Sequence, residues 1–473
     1  MDAWKDSEEP PSPRALGRGA LLANIGGALG TVWGTLGAPN SWLLILFLSE
    51  GLHAATWSIG LVLALTHLGP TLEPAGAWLA ERFRCRRRIF ITTHLVNRLA
   101  FFLFAWLPLL EPTAANRELS LAVVLAVVGL TRIAGHLGAA SWWSWMGDLV
   151  PAGQRGRWFS CRLQWNSGLT ALSFLLASLL LHFAGGMGNG PLVSALFALG
   201  AVCGTCDILL YLGVPDLPLH GPPAAGGLAA VVRRAAAPFT RAGFRRFLLG
   251  IGLWSFSVNL VMPFVPLYLR GAGGEGLGVS WTFLAAVNVT AQMGTLLASR
   301  WWGVLSGRLG SLRLLGLGTG HLFVNLAYLW VGPSQYHFPL LAAAFVGGVL
   351  LAAWTVGSQQ LLLDLAPREG RGYYTSAYNM TSGWFTAAGA LLGGLLADHL
   401  PAVPWCLPSG LPFADFHVLL LAGTLLGLLS LRLVLTTAVP QPRLGPLFRL
   451  SRLRAAGRLG SVVREDTMTA TKV

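Results

Sequence analysis

The 473-residue chain is 54% hydrophobic and 11% charged, with a mean hydropathy of +0.61, whereas about a quarter of the residues of a soluble domain carry charge. Its net charge of +14 comes without the aromatic-interleaved basic modules of a nucleic-acid binder, and its five cysteines supply no disulfide framework. A soluble domain is excluded, and a polytopic membrane protein is implied.

Apolar stretches near the roughly 20 residues needed to cross a bilayer core follow one another with short polar breaks. Twelve are predicted, over 21–49, 55–81, 89–110, 119–148, 157–184, 191–213, 244–270, 279–305, 311–332, 338–365, 372–399 and 411–436. The segment before them, 1–20, is polar, with Pro10, Pro11 and Pro13, unlike a cleavable signal peptide. In the first span Gly26, Gly30 and Gly34 recur every four residues, a spacing that lets helices approach closely. Pro70 and Pro74 interrupt the second span, and Pro263 and Pro266 the seventh, so kinks are expected there. Ionisable residues at bilayer depth are few: Glu73, Arg98, Arg132, His136, Arg162 and Asp207, all in the first six spans. The Cys203-Gly204-Thr205-Cys206 run falls inside the sixth span without a second ligand pair, so no metal site and no cofactor is expected.

Residues 214–243 turn to Pro, Gly, Ala and Arg and read as a linker between a six-span unit at 21–213 and another at 244–437. The later spans carry neutral polar groups instead of charges: Asn259, Asn288, Gln292, Gln359, Gln360 and Asn379. A tail at 438–473 intersperses leucines with Arg449, Arg452 and Arg454, fitting either a basic helix on anionic lipid or an irregular end. Basic residues accumulate on the cytoplasmic side of membrane proteins. Placing both termini there collects nearly all of them, leaving Arg117 and Arg270 outside.

The chain also repeats itself. Asp148-Leu-Val-Pro-Ala-Gly-Gln-Arg-Gly-Arg-Trp158 returns as Asp364-Leu-Ala-Pro-Arg-Glu-Gly-Arg-Gly-Tyr-Tyr374, and at the same offset Ser160 meets Ser376 and Thr170 meets Thr386. An even number of spans before the linker leaves the two units in parallel orientation, related by an axis along the membrane normal.

Leu79-Ala80-Glu81-Arg82 with Arg86, Arg87 and Arg88, and Gly303-Val-Leu-Ser-Gly-Arg-Leu-Gly310, resemble the two copies of the loop signature of the major facilitator superfamily, with Ala77 and Arg84 where the first copy has glycines. Arg132-Ile-Ala-Gly-His-Leu-Gly-Ala-Ala140 is similar to part of that family's fourth-helix pattern, with Gly135 and His136 in place of Gln and Gly. The resemblance implies an all-α fold of twelve transmembrane helices in two pseudo-symmetric six-helix bundles. It also implies a cytoplasmic gate from Glu81, Arg82, Asp148, Arg155, Arg308, Asp364 and Arg371, with the loop acids and arginines latching the bundles. Because the first, fourth, seventh and tenth helices line the cavity in this family, it points to Trp33, Asn40, Arg132, Trp142, Trp254, Asn259, Trp354 and Gln359. Asn288, Gln292 and Asn379 join them as polar candidates, and Trp254 and Trp354 as surfaces on which a planar solute stacks.

Glu73, Arg132, His136 and Arg98 are the candidates for proton coupling. Burial draws a carboxyl toward its neutral form and a neighbouring cation toward its charged form, the opposition a proton switch needs. The alternative for Glu73 is a permanent bridge to Arg98 or Arg132. No nucleophile-base pair marks an enzyme, and no phosphate-cradling loop marks an ATP-driven pump. The expected function is secondary active transport of a small organic solute by alternating access, a proton symport by a monomer in the bacterial inner membrane among its lipids. An exporter of amphipathic compounds and a non-transporting receptor or scaffold stand as alternatives. The fifth span lacks the Gly-Pro pair of the family's antiporter signature, which counts against the exporter.

Overall fold

The computed structural model describes residues 12–111, 113–150, 155–217, 227–271, 276–332, 334–366, 371–400, 403–406, 412–413 and 415–436. The tail at 438–473 lies outside them. The described chain is helical but for a short antiparallel pair, β1 (Val403–Cys406) with β2 (Pro412–Phe413).

The first predicted span is filled by α1 (Pro13–Leu36) and α2 (Trp42–Leu46), the latter running into a π turn at Phe47–Gly51. Helix α1 begins earlier than expected because Ser12 accepts from the Ala15 amide and Pro13 sits in the first turn, where its missing N–H costs nothing. The second span is α3 (Thr56–Leu68) and α4 (Glu73–Phe83), parted by a 3₁₀ turn at Gly69–Leu72 around Pro70. Then come α5 (Arg86–Ala100) with α6 (Phe102–Trp106), α7 (Ala114–Leu149), α8 (Arg155–Phe183) and α9 (Gly190–Leu210). Within the linker the chain forms a further helix, α10 (Leu228–Thr240), from a run of Ala, Val and Arg that favours helix. Past it, α11 (Ala242–Asn259) and α12 (Val265–Arg270) are divided by the predicted kink at Pro263, and are followed by α13 (Trp281–Leu309). The last are α14 (Ser311–Thr319), α15 (His321–Val324), α16 (His337–Leu365), α17 (Arg371–His399) and α18 (Asp415–Leu435).

Among the described residues eight helical stretches are long and apolar enough to cross a membrane. The other four predicted spans are helical as well: α13 is continuous, while the first, second and ninth are broken into shorter pieces.

Helix pairing repeats along the chain. Helix α1 packs on α8 and α9 as α11 packs on α17 and α18; α7 packs on α4 and α5 as α16 packs on α13 and α14; α5 meets α9 as α14 meets α18. The most extensive packing between the halves is that of α3 with α17 and of α8 with α13. The first is close because it is built on glycine: a Cβ at Gly60 would stand 2.6 Å from the Ala390 carbonyl oxygen, and one at Gly394 2.6 Å from that of Thr56.

The apolar core is distributed unevenly. One cluster draws on both halves, from Leu43, Phe47 and Phe104 to Phe264, Trp281 and Phe416, and it lies away from the arginine-rich loops. A second cluster, with Phe90, Trp145, Met146 and Tyr211, is drawn from the first half.

Candidate functional site

Glu73 opens α4, directly after the turn that Pro70 imposes, so its side chain leaves the helix axis where α3 and α4 change direction. Its Oε1 lies 3.3 Å from His136 Nδ1 on α7, and its Oε2 accepts from Asn379 Nδ2 on α17 at 3.0 Å. The carboxylate therefore touches both halves, and it is 14% exposed. His136 reaches it because Gly69 leaves the ring room: a Cβ there would overlap the imidazole. One turn away Trp384 Nε1 donates to Thr71 Oγ1 at 2.7 Å, a second polar link between the same elements. Glu73, His136 and Asn379 were singled out from sequence for separate reasons, and the fold brings them to one point.

Arg98 is not part of that cluster. It pairs with Asp207 on α9 at 3.3 Å, and its guanidinium lies 3.5 Å above the Trp33 ring. A bridge from Glu73 to Arg98 or Arg132 is therefore corrected to Glu73 with His136. Asp207, absent from the candidates, is the acid that Arg98 answers. The signal was in α1: a Cβ at Gly30 would stand 2.6 Å from Asp207 Oδ2 and one at Gly26 2.9 Å from Oδ1, so these glycines are the recess for a carboxylate. At Gly27 the same helix makes way for Arg162, which donates to the Ala23 carbonyl.

Arg132 projects from the middle of α7, half-buried, its Nε without a hydrogen-bond partner. The remaining cavity candidates are scattered. Trp142 donates to the Tyr211 hydroxyl at 2.9 Å, and Asn259 to the Ser255 carbonyl at 2.8 Å and to Thr386 Oγ1 at 3.3 Å. Asn288 Oδ1 is buried without a partner, Gln292 is half-buried, and Asn40 and Gln359 are exposed. Trp254 and Trp354 stack on each other with centroids 3.8 Å apart and Trp354 3% exposed. The stacking surface expected for a solute is thus occupied, because α11 and α16 put the two rings face to face.

The loop acids also differ from expectation. Asp148 pairs with Arg86 at the start of α5, at 2.6 Å, and Asp364 accepts from Ser311 at the start of α14, at 2.9 Å. Each acid ends a helix beside the start of its antiparallel neighbour and closes that gap within its own half; the expected latch from Asp148 to Arg155 and from Asp364 to Arg371 rests on side chains outside the described residues. Glu81 and Arg82 are exposed, and the side chains of Arg155, Arg308 and Arg371 lie outside the described set. At this end α10 lies between α4 and α17, with Phe239 stacked on Trp384 at 6.2 Å.

At the opposite end the halves are joined by charge. Arg270 Nε donates to Glu50 at 3.0 Å, and Asp398 of α17 accepts from the amides of Thr56 and Trp57, at 3.0 and 2.7 Å, at the N-terminus of α3. Those amides have no partner within their own helix. The predicted list contained none of these three charged residues.

No family model matches the chain. Over 153 residues it is 31% identical to the multidrug resistance protein MdtG of Serratia proteamaculans (strain 568), covering 32% of this chain and 36% of that protein. The agreement with MdtG of Salmonella paratyphi A is 31% over the same length, 32% of this chain and 37% of the relative, so the match spans about a third of these curated relatives. Over nearly its whole length the fold superposes on solved transporters. A mutant of the nucleoside transporter NupG gives a TM-score of 0.66 at 14% identity, over 89% of this chain and 99% of that one. The chain has the fold of these transporters. A structure described as a bacterial metal transporter gives 0.58 at 15% identity, over 90% of this chain and 98% of the other. The departure from the loop signature at Arg84 is structural: Arg84 closes α4 at φ +50°, a conformation that glycine adopts without strain, and Gly310 stands at φ +80° between α13 and α14.

Proposed function

We propose that the protein is a secondary transporter of a small organic solute, coupled to protons through Glu73 and working by alternating access between its two six-helix halves. The observation that carries this reading is the position of Glu73, bonded to His136 of its own half and Asn379 of the other. A carboxyl there changes the link between the halves when it takes up a proton: the charged form accepts from both partners, and the neutral form gives up that double acceptance. A shared apolar cluster at the end away from the arginine-rich loops supports rocking, since it makes a pivot. The basic-residue rule supports a cytoplasmic side for the arginine-rich end and for both termini, and the reading takes the protein as a monomer in the bacterial inner membrane. The similarity to MdtG favours export of amphipathic compounds as the second reading.

The test is lumenal pH in proteoliposomes while sugars, organic acids, amino-acid derivatives and amphipathic cations are added. A solute-triggered pH change in wild type that Glu73→Gln abolishes is expected. Solute flux without proton movement, or with equal proton movement in Glu73→Gln, would overturn the coupling. Its sign separates the readings: inward solute with lumenal acidification is symport, and alkalinisation is exchange.

A further inference from the structure

The first turns of α1 border a cavity of about 440 Å³, lined by Arg14 and Arg18 of α1, Arg87 of α5 and the stretch 212–215 that follows α9. Glycine brings its walls together: a Cβ at Gly19 would stand 2.7 Å from Pro215 Cδ, and one at Gly213 2.8 Å from Leu22 Cδ1. Arg87 is anchored at the rim, its Nη2 donating to the Leu212 carbonyl at 2.6 Å. Arg14 and Arg18 are exposed and make no ion pair among the described residues. No carboxylate lines the cavity, Asp216 following the last of its lining residues without joining them. Three guanidiniums converging on one space without a lining acid suit an anion, and their planar forks of donors match the oxygens of a phosphate.

The surface beside the arginines decides what carries that anion. Arg14, Arg18, Leu21 and Ile25 share one face of α1, since neighbours three and four apart align on a helix. Leu21 is 59% and Ile25 44% exposed, and Leu209 and Leu212, at the end of α9 and in the turn after it, are exposed likewise. From Arg18 to Ile25 this face runs about 10 Å along the helix. In a chain that spans a bilayer, such side chains face hydrocarbon. A cationic cavity at the foot of an apolar stripe fits an amphiphile with an anionic head, and basic pockets between helices near the membrane surface hold phospholipid headgroups. A soluble phosphate would use the arginines and gain nothing from the stripe. Without a lining acid there is no partner for the ammonium of a zwitterionic headgroup, so a headgroup of net negative charge is favoured.

We propose that this cavity binds the phosphate of an anionic phospholipid whose hydrocarbon chains lie along Leu21 and Ile25. The site stands apart from the transport reading, since its residues are not those bonded to Glu73. The experiment is the thermal midpoint of the purified full chain in detergent, read by tryptophan fluorescence at fixed ionic strength, as phosphatidylglycerol or phosphatidylcholine with the same acyl chains is titrated in. Inorganic phosphate and glycerol phosphate are the soluble arms. Phosphatidylglycerol is expected to bind about tenfold tighter than phosphatidylcholine, the scale of the attraction of two arginines for anionic lipid. Arg14→Gln with Arg18→Gln should remove that preference and leave the lipid-free midpoint unchanged, both side chains being exposed. Arg14→Lys with Arg18→Lys, which keeps both charges, should retain a preference. Arg245→Gln with Arg246→Gln removes the same charge from exposed positions at the start of α11 and should leave the preference intact.

Equal binding of the two lipids would overturn the proposal, and is the result expected if the acids ahead of α1, Asp2, Asp6, Glu8 and Glu9, were the occupants instead. A preference that survives in the Arg14, Arg18 glutamine variant would overturn it as well. So would an equal loss in the Arg245, Arg246 variant, which marks a general attraction of the basic surface for anionic lipid. Stabilisation by inorganic phosphate or glycerol phosphate as strong as that by phosphatidylglycerol would make the occupant a soluble phosphate and remove the lipid.

Discussion

Asp207 and Arg98 show how much of a buried charge's meaning lies in its neighbour. Each is under one-tenth exposed as a residue, and their separation of 3.3 Å places both inside the first half, under the Trp33 ring and over the recess of Gly26 and Gly30. Removing one member strands the other, at a cost of about 3–5 kcal/mol, whereas replacing both by apolar groups of similar size is close to neutral. Arg98→Leu and Asp207→Leu should therefore each lower the thermal midpoint markedly, and the double substitution should recover much of the loss. Additive losses would show that the two do not act as a pair. Sequence displayed both residues as charges at bilayer depth. As its alternative it offered a bridge from Glu73 to Arg98 or Arg132, Glu73 being the acid nearer along the chain; Asp207 lies 109 positions from Arg98, and nothing in the linear order tells that the fold will bring it near.

Among elements, the N-terminus of α3 is the informative case. Thr56 and Trp57 offer amides that no residue of their own helix satisfies, and Asp398, at the far end of α17, accepts from both. A side-chain acceptor at a helix start contributes on the order of 1 kcal/mol, and this one ties the two halves together. Glu50 adds a second tie, while Arg270 keeps the Val279 carbonyl at 2.7 Å and the Trp281 ring when Glu50 is neutralised. The double substitution Asp398→Ala, Glu50→Gln should open this end of the molecule. Spin labels at His53→Cys and Gln335→Cys, both exposed there, should then gain a population of longer distances, by on the order of 5 Å, the scale of one helical turn. An unchanged distribution would mean that the shared apolar core closes this end without them. The loop acids teach the converse: the Asp148 and Asp364 repeats were evident as sequence, but their partners, Arg86 and Ser311, sit far upstream at the starts of antiparallel neighbours.

At the scale of the whole molecule, the pairing of α1 with α8 and α9 and its repetition by α11 with α17 and α18 give the duplication a physical form. The cytoplasmic side proposed from the arginines is open to a direct test. In a cysteine-free background, a membrane-impermeant thiol reagent applied to intact cells should label Gln335→Cys and spare Ala229→Cys on α10, both exposed positions. The reverse pattern would invert the topology and with it the assignment of Glu50, Arg270 and Asp398 to the outer end.

The amino-acid sequence by itself determined the helical class of the protein, the position of most of its helices, the kinks at Pro70 and Pro263 and the repetition of one half by the other. These follow from composition, local propensity and the length of chain that crosses a bilayer, all properties read along the chain. Only the tertiary structure decided that Glu73 meets His136 and Asn379, that Asp207 takes Arg98, that the indoles of Trp254 and Trp354 cover each other, and that the Arg132 Nε has no hydrogen-bond partner among the described residues. Those are distances between residues tens to hundreds of positions apart. They are set by which helix faces pack, and the glycines that permit the packing are legible as small residues long before their neighbours are known.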